Sequence, residues 1–195
     1  LPKPNLIWRT EVRPADAEIV RLLCQSAGNF NEAEVVVAVE LVQERLAKGP
    51  ASGYDFLFAD IEQVSAGYTC FGTIAGTRDG WDLYWIVVAE EFRGQGLGRQ
   101  LILETERLIR AAGGRRVYVD TSSRKDYREA RKFYQAGGYV REAVIHDFYA
   151  PGDHKVIYVK NLEAGLEFSR PGPGNALGSN RNTLKPPSCN LRNFA

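Results

Sequence analysis

The residues best suited to chemistry form a short run, Arg93-Gly94-Gln95-Gly96-Leu97-Gly98-Arg99. It joins an apolar stretch, residues 82–89, to a segment in which Leu97, Leu101, Leu108 and Ile109 mark a helix. A glycine-rich loop therefore opens a helix. Glycines let the main chain approach an anion closely, and the unpaired N–H groups of a first helical turn, aided by the dipole, bind phosphate without any side chain. The run suits a pyrophosphate. Two known phosphate loops are excluded. The dinucleotide pattern GxGxxG would begin at Gly94 and Gly96 but needs glycine where Arg99 stands, and a Walker A loop needs a Gly-Lys-Ser/Thr ending that is absent. A strand-to-helix turn with no ligand fits the same glycines equally well.

A second constellation lies downstream. Residues 115–121 read as a strand, and Ala130-Arg131-Lys132-Phe133-Tyr134-Gln135-Ala136-Gly137-Gly138-Tyr139 follows, with Ala130, Phe133, Tyr134 and Gly137 on one helical face. With Arg93, Gly96 and Gly98 in the spacing Arg-x-x-Gly-x-Gly, these segments resemble the GCN5-related N-acetyltransferase (GNAT) superfamily. Its central motif is Arg/Gln-x-x-Gly-x-Gly/Ala after the fourth strand, and a later helix carries A-x-x-F/L-Y-x-x-x-G-F/Y. The resemblance spans about residues 7–162 and is strongest over 82–139. It implies acetyl-CoA as co-substrate, with the pyrophosphate on Arg93, Gly94, Gln95, Gly96, Leu97, Gly98 and Arg99. It also implies that the pantetheine arm pairs like an added strand with backbone groups of Ile86, Val87 and Val88, and that Tyr134 protonates the departing thiolate. Taken alone, Tyr134 reads as a buried core aromatic. Family members often carry asparagine three residues before the alanine of the helix motif, where this chain has Tyr127; Ser122 and Ser123 offer hydroxyls nearby.

Acetyl transfer to an amine requires a neutral nucleophile, a polarised thioester carbonyl and a proton for the leaving sulfur. A tyrosine with a pKa of ~10 matches a thiolate of similar basicity. A lysine-like amine, with a pKa of ~10.4, needs a carboxylate or water relay to take its proton. Asp120, Asp82 and Glu91 are the candidates. Asp120 is preferred, because in the resembled fold the fourth and fifth strands splay and their ends face the reaction centre; a simple turn cap is the competing reading. Glu90 and Glu91 read as solvated loop charges. Neither Cys24 nor Cys70 has the histidine partner of a nucleophilic thiol. His146 and His154 suit neither a metal site nor a Ser-His-Asp triad, so no metal is expected.

The elements that must carry these residues alternate. Residues 6–12 suggest a strand, and Pro14 and Asp16 open a helix through Leu23. Asn31 and Glu34 form a capping-box pattern before a helix whose Val35, Ala38, Val39, Val42 and Leu46 share one face, ended by Gly49 and Pro50. Residues 54–60, 67–75 and 82–89 read as an antiparallel meander with a turn at Asp79-Gly80, and residues 143–160 as two strands about Ala150-Pro151-Gly152-Asp153. The expected fold class is α/β (α+β): a mixed, mostly antiparallel sheet of six to seven strands flanked by about four helices.

Composition bounds the rest. The 195 residues fit one domain with an appendage, and 44% hydrophobic with 25% charged residues is a globular balance. Thirteen of residues 165–195 are Gly, Pro or Asn, so the expected division is a catalytic domain over 1–164 and a C-terminal tail over 165–195. Lys and Arg number 25 against 24 Asp and Glu, which recommends neither nucleic acid nor anionic lipid as partner. The first 164 residues carry 21 basic and 23 acidic side chains, mildly suiting a cationic acceptor. Cys24, Cys70 and Cys189 form no CxxC, no apolar run approaches the ~20 residues of a membrane span, and no signal-peptide pattern opens the chain; a cytoplasmic protein is expected. The reading is an acetyl-CoA-dependent N-acetyltransferase acting on a primary amine by direct attack in a ternary complex, the amine being a small molecule or a protein. A protein lysine or N-terminal acetyltransferase and a non-catalytic acyl-CoA-binding module stay open, as does a homodimer.

Overall fold

The computed structural model describes residues 5–162; the expected tail, 165–195, and Cys189 lie outside them. The chain runs β1 (Leu6–Arg9), α1 (Asp16–Ala27), α2 (Glu32–Lys48), β2 (Asp55–Ile61), β3 (Val64–Thr73), β4 (Gly80–Val88), α3 (Leu97–Ala111), β5 (Arg116–Ser122), α4 (Arg128–Ala136), β6 (Val140–Ala150) and β7 (Asp153–Asn161). The seven strands form one sheet in the order β1-β2-β3-β4-β5-β7-β6, in which only the β4–β5 pair is parallel.

Period-two alternation sorts the strand side chains into two apolar layers. Phe56 and Phe58 of β2, with Tyr68 and Trp85, face α1 and α2, meeting Val20, Leu23, Val35 and Leu41. Leu57 and Ala59, with Phe71, Leu83, Val117 and Tyr158, face α3 and α4, meeting Leu97, Leu101, Ile109 and Tyr134. The α2 capping box is complete: Asn31 Oδ1 accepts from the Glu34 N–H at 3.0 Å and Glu34 Oε2 from the Asn31 N–H at 2.8 Å. On that helix Leu46 is exposed and Leu41 is buried, so the face read from the sequence is rotated toward Leu41. A Cβ on Gly67 would stand 2.6 Å from the Val87 carbonyl oxygen and 3.0 Å from Leu101 Cδ1, so a glycine lets α3 lie close on the β3–β4 pair.

Two irregularities shape the middle of the sheet. Cys70 faces Trp85 and Phe71 faces Leu83, which leaves Tyr84 as an extra, bulged residue in β4. β4 and β5 pair only over residues 80–82 against 116–118, after which β5 continues along β7 while β4 stays on β3. The two strands therefore part after Asp82.

Candidate active site

The parting of β4 from β5 leaves one edge of residues 83–88 without a neighbouring strand. The Ala89 N–H donates to the Ala66 carbonyl at 2.9 Å, toward β3. Main-chain groups alternate sides along a strand, so those of Val87 also turn to β3 and those of Ile86 and Val88 turn to the gap. The Val88 carbonyl agrees, accepting from Arg93 Nε at 3.2 Å. Of the three residues expected to offer backbone to a ligand, Ile86 and Val88 turn theirs to the gap and Val87 turns its backbone to β3.

Beyond β4 a single 3-10 turn (Glu90–Phe92) leads into the glycine loop. Gly94 and Gly96 have φ of +72° and +83°, and Gly96 is the N-cap of α3, with no side chain closing the helix. The first-turn N–H groups of Leu97, Gly98 and Arg99 have no acceptor within the helix. A Cβ on Gly94 or Gly96 would meet no protein atom within 4 Å, so both glycines border open space. Gly94 and Gly98 belong to the wall of a cavity of about 490 Å³, completed by Ile86, Val87 and Val88, by Arg93, by Asp126, Glu129, Ala130 and Phe133, and by Ala27, Asn29 and Phe30 between α1 and α2.

Several expected residues take other tasks. Arg93 spends its guanidinium on main chain, with Nη2 donating to the Ala27 carbonyl at 3.0 Å, which ties the α1–α2 connection to the loop. Gln95 Nε2 donates to the Glu91 carbonyl at 2.8 Å, Leu97 is a core side chain, and Arg99 is exposed. Tyr127, standing where relatives of the resembled family often have asparagine, is buried and donates its hydroxyl to the Asn29 carbonyl at 3.3 Å. It anchors the wall of the cavity. Asp126, Glu129, Ala130 and Phe133 form a stripe at i, i+3, i+4 and i+7, a spacing present in the sequence that places the two acids on the cavity wall beside Phe133.

Tyr134 does not line the cavity. Its ring is 1% exposed and packs on Phe133, Tyr139 and Tyr158, with centroids 5.5, 5.7 and 6.1 Å away. Burial pushes the phenol well above its ordinary pKa. It keeps its proton and is a weaker acid than an ordinary tyrosine.

Asp120 lies outside the cavity as well, ion-paired to Lys155 of β7. Asp82, opposite Tyr118 in the last β4–β5 pair, shares its face of the sheet. Burial first, then the Asp120 charge, raises the Asp82 carboxyl to about 7, with Lys155 pulling the other way. The structure thus sets two carboxylates and an ammonium where β4 and β5 begin to part, with the Asp82 carboxyl raised toward neutrality. Burial pushes the Cys24 thiol up to about 11 and holds the Cys70 thiol well above its ordinary value, so neither is an available thiolate. Among the described residues no cluster of three His, Cys, Asp or Glu could hold a metal, and no helix is long and apolar enough to cross a membrane.

Residues 52–141 match the family model of the acetyltransferase (GNAT) domain. A GNAT-family protein from Desulfovibrio desulfuricans superposes with a TM-score of 0.80 at 41% identity, over 82% of this chain and 100% of that one. The ribosomal-protein-S18-alanine N-acetyltransferase of Escherichia coli superposes with a TM-score of 0.65 at 15% identity, over 84% of this chain and 98% of that one. The PaiA N-acetyltransferase of Thermoplasma acidophilum, solved with coenzyme A, gives 0.62 at 16%, over 80% and 99%. No curated protein sequence matches.

Proposed function

The chain belongs to the GNAT acetyltransferase family, and on that premise we propose that it moves the acetyl group of acetyl-CoA to a primary amine by direct attack in a ternary complex. The observation that carries the reading is the parted β4 and β5 with the glycine loop and the bare α3 N-terminus at one end of the gap. The open space before Gly94 and Gly96 fits a pyrophosphate, and the coenzyme A bound to a relative of the same fold supports that choice.

Acetyl-CoA would bring a thioester carbonyl and a thiol leaving group. The chain's own residues do the rest. The N–H groups of Leu97, Gly98 and Arg99 hold phosphate oxygens, and the outward backbone of Ile86 and Val88 aligns the pantetheine arm. Tyr134 is the proton donor to the departing sulfur, its proton retained by burial. Asp82 is the proton acceptor for the incoming ammonium, directly or through water. Asp120, the residue expected from sequence, holds Lys155 and raises Asp82 toward neutrality. We assign residues 1–164 to the catalytic domain and a cytoplasmic location, in keeping with the two buried free thiols. Pairing of two copies would use the edge strand β6, which exposes Val140, Ile145 and Phe148; sedimentation over a wide concentration range checks it.

The deciding experiment is incubation of the protein with acetyl-CoA and a panel of small amines, lysine peptides and free peptide N-termini, read by thiol release. Turnover with small amines above the peptide background supports the proposal. Turnover with peptides alone transfers the activity to a protein substrate, and tight acetyl-CoA binding with no turnover on any amine reduces the protein to a binding module.

A further inference from the structure

The α4 helix has a second charged face that the acetyl-transfer site does not use. Residues 128, 131, 132 and 135 repeat at i, i+3, i+4 and i+7, on the side of the helix opposite the stripe 126, 129, 130 and 133 that walls the groove. This second face closes over β6 and β7 on a separate cavity of about 440 Å³. Its walls include Arg128, Arg131, Lys132, Arg141, His154 and Ser123, and no carboxylate.

These groups are set up as donors. Arg128 and Arg141 are exposed and have no ion-pair partner among the described residues. Arg131 is positioned by main chain, its Nη1 donating to the carbonyls of Ser122 and Arg124 at 2.6 and 2.8 Å. The Ser123 oxygen accepts from the His154 N–H at 2.9 Å, which leaves its hydroxyl proton to give. His154 Nδ1 accepts from the Asp147 N–H at 2.9 Å, so the neutral ring carries its proton on Nε2. The acids at the rim are Glu129, 2.7 Å from Lys132 Nζ and within electrostatic reach of Arg128, Asp126, within reach of Arg131, and Asp147, 3.5 Å from His154 Nδ1; among the described residues none of them is hydrogen-bonded to a guanidinium group of the cavity. Like charges gathered on two facing elements repel one another unless an anion lies between them. Forked guanidinium donors with a hydroxyl and an imidazole N–H match a tetrahedral dianion better than a single carboxylate.

We propose that this cavity binds a phosphate monoester, carried by a molecule other than the acetyl-CoA in the groove. The separation across α4 argues for a separate molecule, because the two cavities open on opposite faces of the helix and share no lining residue. The cavity volume lies within the range of small-molecule sites, large enough for a phosphorylated metabolite of nucleotide size.

The test is calorimetric titration of the full chain, saturated with coenzyme A, with adenosine 5′-monophosphate and inorganic phosphate, against chloride at matched ionic strength. One site is expected, weakened about tenfold or more in Arg128→Gln/Arg141→Gln, whose side chains are exposed and whose loss leaves the core intact. The affinity should persist in Gly96→Val, which alters the groove alone. Binding no stronger than the chloride background, or unchanged in the double variant, overturns the proposal. So does a double variant that loses affinity for coenzyme A but not for dephospho-coenzyme A, because the cavity would then seat the 3′-phosphate of the groove ligand.

Discussion

Tyr134 and Asp82 illustrate how burial assigns protons in opposite senses of use. The Tyr134 ring is held by Tyr139 and Tyr158 whether or not it carries a hydroxyl, so Tyr134→Phe should leave the melting temperature nearly unchanged. It should lower kcat by ~10²–10⁴-fold, the usual worth of a general acid, with acetyl-CoA affinity preserved. Because burial raises this phenol, its deprotonation should cause no alkaline fall in rate below about pH 10. Near-normal turnover of the variant at saturating acetyl-CoA would return Tyr134 to a core role. Asp82 must be ionised to accept a proton, so with its carboxyl at about 7 the rate should rise with pH through neutrality. Asp82→Asn should abolish that rise together with most of the activity. Asp120→Asn separates the two carboxylates: removing the Asp120 charge lowers Asp82, so the rise should move to lower pH with activity retained, whereas loss of activity with no shift would make Asp120 the base. Stability follows the same shift. A carboxyl raised on folding favours the folded state below its unfolded pKa, and that contribution is lost as pH climbs from about 4 through 7. Asp82→Asn should accordingly gain more melting temperature relative to the native protein at pH 8 than at pH 5.

At the level of elements, the glycine loop shows a conformation and a ligand space imposed on the same residue. Gly96 sits at φ +83° with nothing within 4 Å of a would-be Cβ. Gly96→Val therefore pays a backbone cost of roughly 1–3 kcal/mol, and its side chain enters the space before the α3 N–H groups. Coenzyme A affinity should fall about tenfold or more, in line with losing charge-assisted hydrogen bonds. Gly113→Val is the control, since Gly113 has φ +87° and equally empty surroundings at the far end of α3. Both variants should lose similar stability, and only Gly96→Val should lose coenzyme A; equal affinities would return the loop to a plain turn. The loop and most elements could be read in the sequence because their signals are local: the Asn31–Glu34 box and the glycines before α3; the turn read at Asp79-Gly80 lies instead at Ala75-Gly76, and Gly80 opens β4. The parting of β4 from β5, the Tyr84 bulge and the hold of Lys155 on Asp120 could not, since each depends on which strands become neighbours. Leu46 makes the same point on a helix, where the apolar period gives a direction but not whether anything lies there to cover it.

For the whole molecule, the last described strand is tied into the core just before the Gly-, Pro- and Asn-rich segment begins. β7 ends at Asn161, and Leu162 is 4% exposed against the core. The Leu162 N–H donates to the Arg115 carbonyl at 2.8 Å and its carbonyl accepts from Arg110 Nε at 3.1 Å, which secures the last strand to the end of α3 and the start of β5. Among the described residues, every wall of both cavities lies at or before Tyr158. Residues 165–195 contain Pro171-Gly172-Pro173-Gly174 and few large apolar side chains, a composition poorly suited to burying surface. A chain ending at Ala164 keeps the Leu162 contacts and the neighbouring Glu163. It should fold with a melting temperature within about 2 °C of the full chain, less than a single kcal/mol would shift it. Coenzyme A affinity and kcat with the best small amine should also be unchanged, because every described groove residue is kept. A melting temperature lower by about 5 °C or more would show that the segment contributes to the fold. Unchanged melting with a raised KM for the amine alone would instead place residues 165–195 at the acceptor side of the site. Only the joint constancy of melting temperature, coenzyme A affinity and amine kinetics sustains the division of the chain at residue 164.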